Sequence, residues 1–175
     1  MNDTVLKLKE MKRAMKPYVL TLYEMILESK PAEVLEIGVR QAQSTRTILS
    51  ALLENLQEGG QGRLTSIDLG DRSDRIPEEL MSLWRPVVGD SHSEDIFKQV
   101  SDIQYDILFI DGDHSYAGVK KDYEMYKDLV KDGGYIMFHD TVNPNEGVKQ
   151  FWDELDCPKI NLKWGFAGFG ITEKR

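Results

Sequence analysis

The sequence predicts an α/β fold: a mostly parallel seven-stranded sheet, flanked by helices and finished by a C-terminal antiparallel hairpin. Three observations predict it. The first is the stretch from Tyr105, where the apolar run Ile107-Leu108-Phe109-Ile110 stops at Asp111-Gly112-Asp113-His114. Helical spacing follows at Tyr116, Val119, Tyr123, Tyr126, Leu129 and Val130. Gly133-Gly134 closes that helix, and a second run, Tyr135-Ile136-Met137-Phe138, ends at His139-Asp140. This reads strand, loop, helix, strand, with polar groups at the carboxyl ends of both strands, the edge where open parallel sheets bind ligands. Helix capping is the competing explanation for Asp and His in such loops. The second observation is Glu33–Ile37, followed by Gly38 and a helix through Ile48, Leu49, Leu52 and Leu53. Strand, glycine turn and helix is the opening unit of a nucleotide-binding α/β fold. The third is a pair of short runs, 158–162 and 168–172, joined by glycines and so expected to pair antiparallel.

A chain of 175 residues is enough for one domain with its own core and short for two. A single domain over 1–175 is expected, with N-terminal helices in 1–30 and the sheet-bearing core in 31–175. No apolar run is long enough to span a bilayer. The first sixteen residues are charged and amphipathic, unlike a signal peptide. The one cysteine, Cys157, excludes an internal disulfide and a cysteine metal cluster, and suggests a reducing, cytoplasmic setting. The net charge of −8 argues against a broad nucleic-acid footprint, which needs clustered Lys and Arg.

Taken in order, residues 3–16 read as a helix with Val5, Leu8, Met11 and Met15 on one side. Pro17 opens a second helix, tolerated in the first turn, with Val19, Leu22, Tyr23, Ile26 and Leu27 as its apolar stripe. These helices are expected to pack on the sheet edge or cover the site. After the first strand only Gly38 is present. The missing G-x-G-x-x-G spacing counts against an NAD or FAD dehydrogenase, and the missing Gly-Lys-Ser/Thr against a P-loop. Ser44 and Thr45 stand where a helix N-terminus offers N–H groups to a ligand carboxylate, and Ser44 reads equally as an N-cap. Arg63–Ile67 is the second strand. Asp68 at its end sits where dinucleotide folds hold a ribose, or caps a loop. Pro77–Leu80 suits a short helix start. Arg85–Val88 contains Pro86, which marks an edge strand, and Gly89-Asp90-Ser91 is a third polar strand end. Ser91-x-x-Glu94 reads as a capping box for a helix over Asp95–Val100, leaving Asp90 to face a ligand. Thr141–Gly147 is a loop by composition. Val148, Phe151, Trp152 and Leu155 form the last helical face, and Gly165, Gly168 and Gly170 serve the hairpin turn.

The segments VLEIGVRQAQST, LTSIDLGD, VVGDS and FIDGDHSYAGVKKDY…GGYIMFHDT run in this order from Val34 to Thr141. Together they resemble class I S-adenosylmethionine-dependent methyltransferases. The likeness is nearest to the methyltransferase 24 or cephalosporin-hydroxylase-like branch, which includes sugar O-methyltransferases. That resemblance implies a Rossmann-like class I methyltransferase fold. It implies that Glu36 and Gly38 line the methionine part of S-adenosylmethionine, that Asp68 holds the ribose, and that Asp90 and Ser91 sit by the adenine. Ser44 and Asp111 are counted with the same cofactor site. His114 lies in the loop where catechol-type relatives carry a general-base lysine, and an imidazole suits that task near neutrality. Asp111 is its catalytic partner, with capping or substrate contact as the other reading of His114. Some relatives bind Mg²⁺ through one acid after strand four and two polar residues after strand five. Asp111 and Asp140 match two of these positions, with Asp113 a further candidate. His139 stands at the third, where an imidazole departs from the oxygen ligands Mg²⁺ prefers. The implied activity is O-methylation of a sugar or other small polar acceptor, with Mg²⁺ or another divalent cation as a candidate helper. Two alternatives stay open: a metal-independent methyltransferase on another acceptor, and a catalytically silent cofactor-binding module. The expected partner is a small molecule or carbohydrate, with neither nucleic acid nor membrane. No large lid insertion is present, so either the pocket is open or a second subunit of a homo-oligomer covers it.

Overall fold

The computed structural model describes residues 17–144, 147–163 and 167–175. The helix expected over 3–16 lies outside them, as does Gly165. Helix α1 (Pro17–Ser29) precedes strand β1 (Glu33–Ile37), helix α2 (Gln43–Gln57) and strand β2 (Arg63–Asp68). Two short 3₁₀ turns, Ser73–Arg75 and Glu78–Leu83, lead into β3 (Trp84–Val88). Then come α3 (Glu94–Val100), β4 (Tyr105–Ile110), α4 (Tyr116–Tyr126), β5 (Val130–His139), α5 (Gly147–Glu154), β6 (Lys159–Leu162) and β7 (Phe169–Glu173). The seven strands are ordered β3-β2-β1-β4-β5-β7-β6. β1 pairs in parallel with both β2 and β4, so the strand order reverses beside it. Such a switch point opens a crevice at the carboxyl ends of the strands. β7 runs antiparallel between β5 and β6, as the hairpin reading required. Pro86 lies on edge strand β3, where its missing N–H costs no ladder bond.

The central strands are apolar on both faces because helices cover both. On one face α1 and α2 bring Leu22, Ile26, Ile48 and Leu52, all fully buried, against Val34, Ile107 and Phe109. On the other, Val119 and Tyr126 of α4 and Phe151 and Trp152 of α5 pack on Leu35, Leu108 and Phe138. Each such aliphatic side chain contributes about 1.5–3 kcal/mol on burial. α1 is tied to α2 as well: Asn55 Nδ2 donates to the Ile26 carbonyl at 2.9 Å.

Three local expectations are corrected. The α4 helix ends at Tyr126, and β5 already begins at Val130, which pairs with Tyr105. Leu129 closes a 3₁₀ turn, which extends the helical spacing without extending the helix. Gly133-Gly134 therefore lies inside β5, as an irregularity whose backbone bonds to Lys174. α3 is capped by Ser93, whose side chain accepts from Asp95 N–H, so Ser91 is not its cap. Gly168 serves the hairpin turn with φ +72, but Gly170 lies within β7 opposite Phe138.

Candidate active site

A cavity of about 930 Å³ opens at the carboxyl edge of the sheet. Its walls come from the ends of successive strands: Gly38 after β1, Asp68 at the end of β2, Gly89-Asp90 after β3, Asp111–His114 after β4 and His139-Asp140 at β5. Asp111 N–H donates to the Ile37 carbonyl at 2.8 Å, and Gly38 N–H to Ile67 at 2.8 Å. Backbone pairing thus continues past the strand ends and holds three of the loops in register.

At the β1–β2 end, Gly38 takes φ +93, and a Cβ there would lie 2.1 Å from the Asp111 carbonyl oxygen. Only glycine permits that approach. The Asp68 carboxylate reaches back across the loop and accepts from Val39 and Arg40 N–H, both at 2.9 Å. It also accepts from Gly70 N–H at 2.9 Å and from the Arg72 guanidinium. Burial alone would raise the pKa of Asp68; these donors outweigh it and hold the group below its usual value.

Two residues expected at the ligand, Glu36 and Ser44, are hydrogen-bonded to each other. Glu36 is fully buried beneath the loop and does not line the cavity. It accepts from Ser44 Oγ at 2.6 Å, Thr45 Oγ1 at 2.8 Å and Ser66 Oγ at 2.8 Å. Burial pushes its pKa up to about 7 in spite of those three hydroxyls. Ser44 does not cap α2: the N-cap is Ala42 at φ 58, with no side-chain cap bond, and the Ser44 hydroxyl serves Glu36. Ser44 still borders the cavity.

On the β3 side, Asp90 is exposed and accepts from His92 N–H at 2.9 Å. Ser91 lines the cavity while its hydroxyl donates to Asp122 at 2.7 Å. Asp122, fully buried on α4, also lies 3.1 Å from His92 Nε2. It ties the loop after β3 to α4 from below. The sequence offers no local signal for this, because Asp122 looks like any polar residue on a helix.

At the β4–β5 end, two carboxylates and two imidazoles form one cluster. His139 Nδ1 lies 2.8 Å from Asp140 Oδ2 and 3.3 Å from Asp111 Oδ1. His114 Nε2 lies 3.2 Å from Asp111 Oδ1, and its Nδ1 3.4 Å from Asp140 Oδ2. Asp140 adopts φ 60, a left-handed conformation that turns its side chain back onto His139. Burial would lower the His139 pKa, but the bonds and charges of Asp111 and Asp140 win and raise it to about 9. For Asp111 burial acts upward, and the two histidines more than offset it, leaving the carboxyl below its usual range. Tyr18 of α1 stands over His139 with ring centroids 4.4 Å apart and lines the same cavity. Burial, then the charges of Asp111 and Asp140, push its phenol up to about 12. Sequence reading missed Tyr18, since a tyrosine in a helix's first turn carries no mark of what it will cover. Asp113 also borders the cavity, and its carboxylate accepts from Ser115 N–H at 2.9 Å at the start of α4.

The family model described as "Methyltransferase domain" (Methyltransf_24) matches residues 35–141. Among curated proteins, the chain is 57% identical over 35 residues to the uncharacterized protein R132 of Acanthamoeba polyphaga mimivirus. That match covers 20% of this chain and 16% of the relative, and a second curated relative is matched over 8% of its length. The chain therefore spans a small fraction of those proteins. Among solved structures, a Staphylococcus aureus protein assigned as a caffeoyl-CoA O-methyltransferase superposes with TM-score 0.71 at 19% identity, covering 99% of this chain and 93% of that one. The O-methyltransferase TomG of Streptomyces achromogenes, involved in tomaymycin synthesis and solved with S-adenosylmethionine, gives TM-score 0.68 at 18% identity over 98% and 89%. At such identities the likeness is one of fold. The family model, by contrast, covers every strand end that forms the cavity, and the chain belongs to that methyltransferase-domain family.

Proposed function

We propose that the protein is an S-adenosylmethionine-dependent O-methyltransferase acting on a hydroxyl of a sugar or other small polar molecule. One observation carries the reading. A single cavity joins a cofactor-type end, with Gly38, Asp68 and Asp90 on successive strand ends, to a reactive end holding Asp111, His114, His139 and Asp140. The groups fit the cofactor: Gly38 lets the loops after β1 and β4 close together at the cavity wall, and carboxylates accept from a diol. When bound, S-adenosylmethionine supplies an electrophilic methyl group to an attacking oxygen. The chain's own residues then have three tasks. Asp68 and Asp90 hold the nucleoside, while Glu36 stiffens the loop through Ser44 and Thr45 rather than touching the ligand. Tyr18 walls the reactive end and keeps water from His139. His114, the most open member of the cluster, takes the acceptor's proton.

Calorimetric titration with S-adenosylmethionine, and with NAD as the competing class, tests the reading. Binding of NAD alone would overturn it. Asp68→Ala should weaken S-adenosylmethionine binding by about 1–3 kcal/mol, the worth of charged hydrogen bonds. Unchanged affinity would remove Asp68 from the site.

Asp111, His139 and Asp140 each offer one ligand atom, all within 4.8 Å of one another. His139 fits a metal only after giving up the proton on Nδ1, and a mixed nitrogen–oxygen set suits Mn²⁺ or Zn²⁺ better than Mg²⁺. Bound there, a divalent ion would supply Lewis acidity toward the acceptor oxygen. If it is required, EDTA should abolish turnover and a divalent ion restore it. Full turnover in chelator would leave His139 as the cation between the two carboxylates.

A further inference from the structure

Asp68 has no lone pair to spare. Its Oδ2 accepts from Val39 and Arg40 N–H, both at 2.9 Å. Its Oδ1 accepts from Gly70 N–H at 2.9 Å and Arg72 Nε at 3.0 Å, with an Arg72 Nη in ion-pair contact at 2.9 Å. A carboxylate offers about four acceptor directions, and a ribose diol would bring two more donors. Something must leave before the sugar can bind. The Val39 and Arg40 amides sit in a tight loop, with Arg40 at φ 49, Ala42 at φ 58 and Ala42 N–H closing onto the Val39 carbonyl at 2.7 Å. Gly70 N–H closes a local turn two residues from Asp68. Moving any of these means moving backbone. Arg72 is a side chain, about a third exposed at 32%, lying over Gly70 at the cavity wall, and it can depart by rotation alone.

We propose that Arg72 competes with the cofactor's ribose for Asp68: its guanidinium holds the carboxylate and must swing off for the diol to be held. The proposal rests on the S-adenosylmethionine reading above. It reverses the usual expectation for an arginine in a nucleoside pocket. A guanidinium normally helps by meeting phosphate, and this cofactor has none, so Arg72 here holds affinity down.

The test is calorimetric titration of the full chain with S-adenosylhomocysteine, which lacks the sulfonium charge and so removes simple charge repulsion from the comparison. Arg72→Ala and Arg72→Gln should both bind roughly two- to fivefold tighter than wild type, the worth of displacing a partly exposed ion pair. Lys98→Ala, an equal charge change on the exposed face of α3, should bind as wild type does. Raising salt from about 0.02 to about 0.5 M should tighten wild-type binding by screening the Arg72–Asp68 pair, and this trend should vanish in both Arg72 variants. A purely structural Arg72 would give the opposite sign. Equal or weaker binding in both variants, with wild type binding normally, overturns the proposal. If wild type binds no S-adenosylhomocysteine at any salt, the cofactor reading itself falls and this inference falls with it.

Discussion

Replacing His114 with alanine should lower methyl-transfer turnover by roughly 10²–10⁴-fold, the usual contribution of a positioned general base. His114 is the most exposed member of the reactive cluster, with its side chain 27% accessible against 23% for Asp111, 14% for His139 and 12% for Asp140. It is therefore the member an acceptor reaches first. Its two ring nitrogens face Asp111 and Asp140, at 3.2 and 3.4 Å. Carboxylates only accept, so the ring must turn one nitrogen from its carboxylate toward the acceptor to act as a base. Cofactor affinity, read calorimetrically, should change little, because His114 follows β4, two strands along the sheet from Asp68 at the end of β2. Added imidazole should restore part of the rate to His114→Ala and none to His114→Gln, whose side chain fills the space. If the alanine variant keeps most of its turnover, the proton leaves by another route. If cofactor binding collapses instead, His114 is part of the loop's architecture.

Gly38→Ala should cost about 2–6 kcal/mol of folding stability. The residue sits at φ +93, which strains an L-residue by roughly 1–3 kcal/mol. The new methyl would lie 2.1 Å from the Asp111 carbonyl oxygen, 2.6 Å from its carbon and 3.0 Å from Gly112 Cα. All three are backbone atoms on a segment clamped by the Asp111–Ile37 bond at 2.8 Å, so none can rotate aside. Overpacking of this kind adds roughly 1–3 kcal/mol. For a chain of this size the melting temperature should fall by about 4–24 °C. Gly59→Ala is the internal comparison: φ is +85, but nothing lies within 4 Å of the added methyl. It should lose only the conformational part. Equal losses in the two variants would mean that the close approach at Gly38 is not what holds the loops together.

Strand ends were legible in the sequence because each pairs a short apolar run with an abrupt polar stop. Val34 to Gly38, Leu64 to Asp68 and Ile107 to Asp111 show this, and all three stops reach the same cavity. Partnerships across the sheet were not legible. Glu36 reads as a site residue until Ser66, thirty positions away, takes one of its oxygens inside the core. Ser91 fits a capping spacing, yet its hydroxyl goes to Asp122 on another helix, and Ser93 supplies the cap. The start of β5 was hidden because a 3₁₀ turn lets Leu129 continue the helical rhythm into the strand. In each case the local pattern was real and a distant neighbour decided between its two uses.

Tyr18 enters the cavity from α1, which is anchored by the buried Val19, Leu22, Tyr23 and Ile26. It lies outside the matched span of 35–141. The part of the molecule that identifies it is thus separate from a part that borders the cavity beside His139. A substitution in the first turn of a helix whose inner face is pinned can leave every strand end in place. Under the proposed reading, changing residue 18 alters the wall beside His139 without touching the span that defines the family.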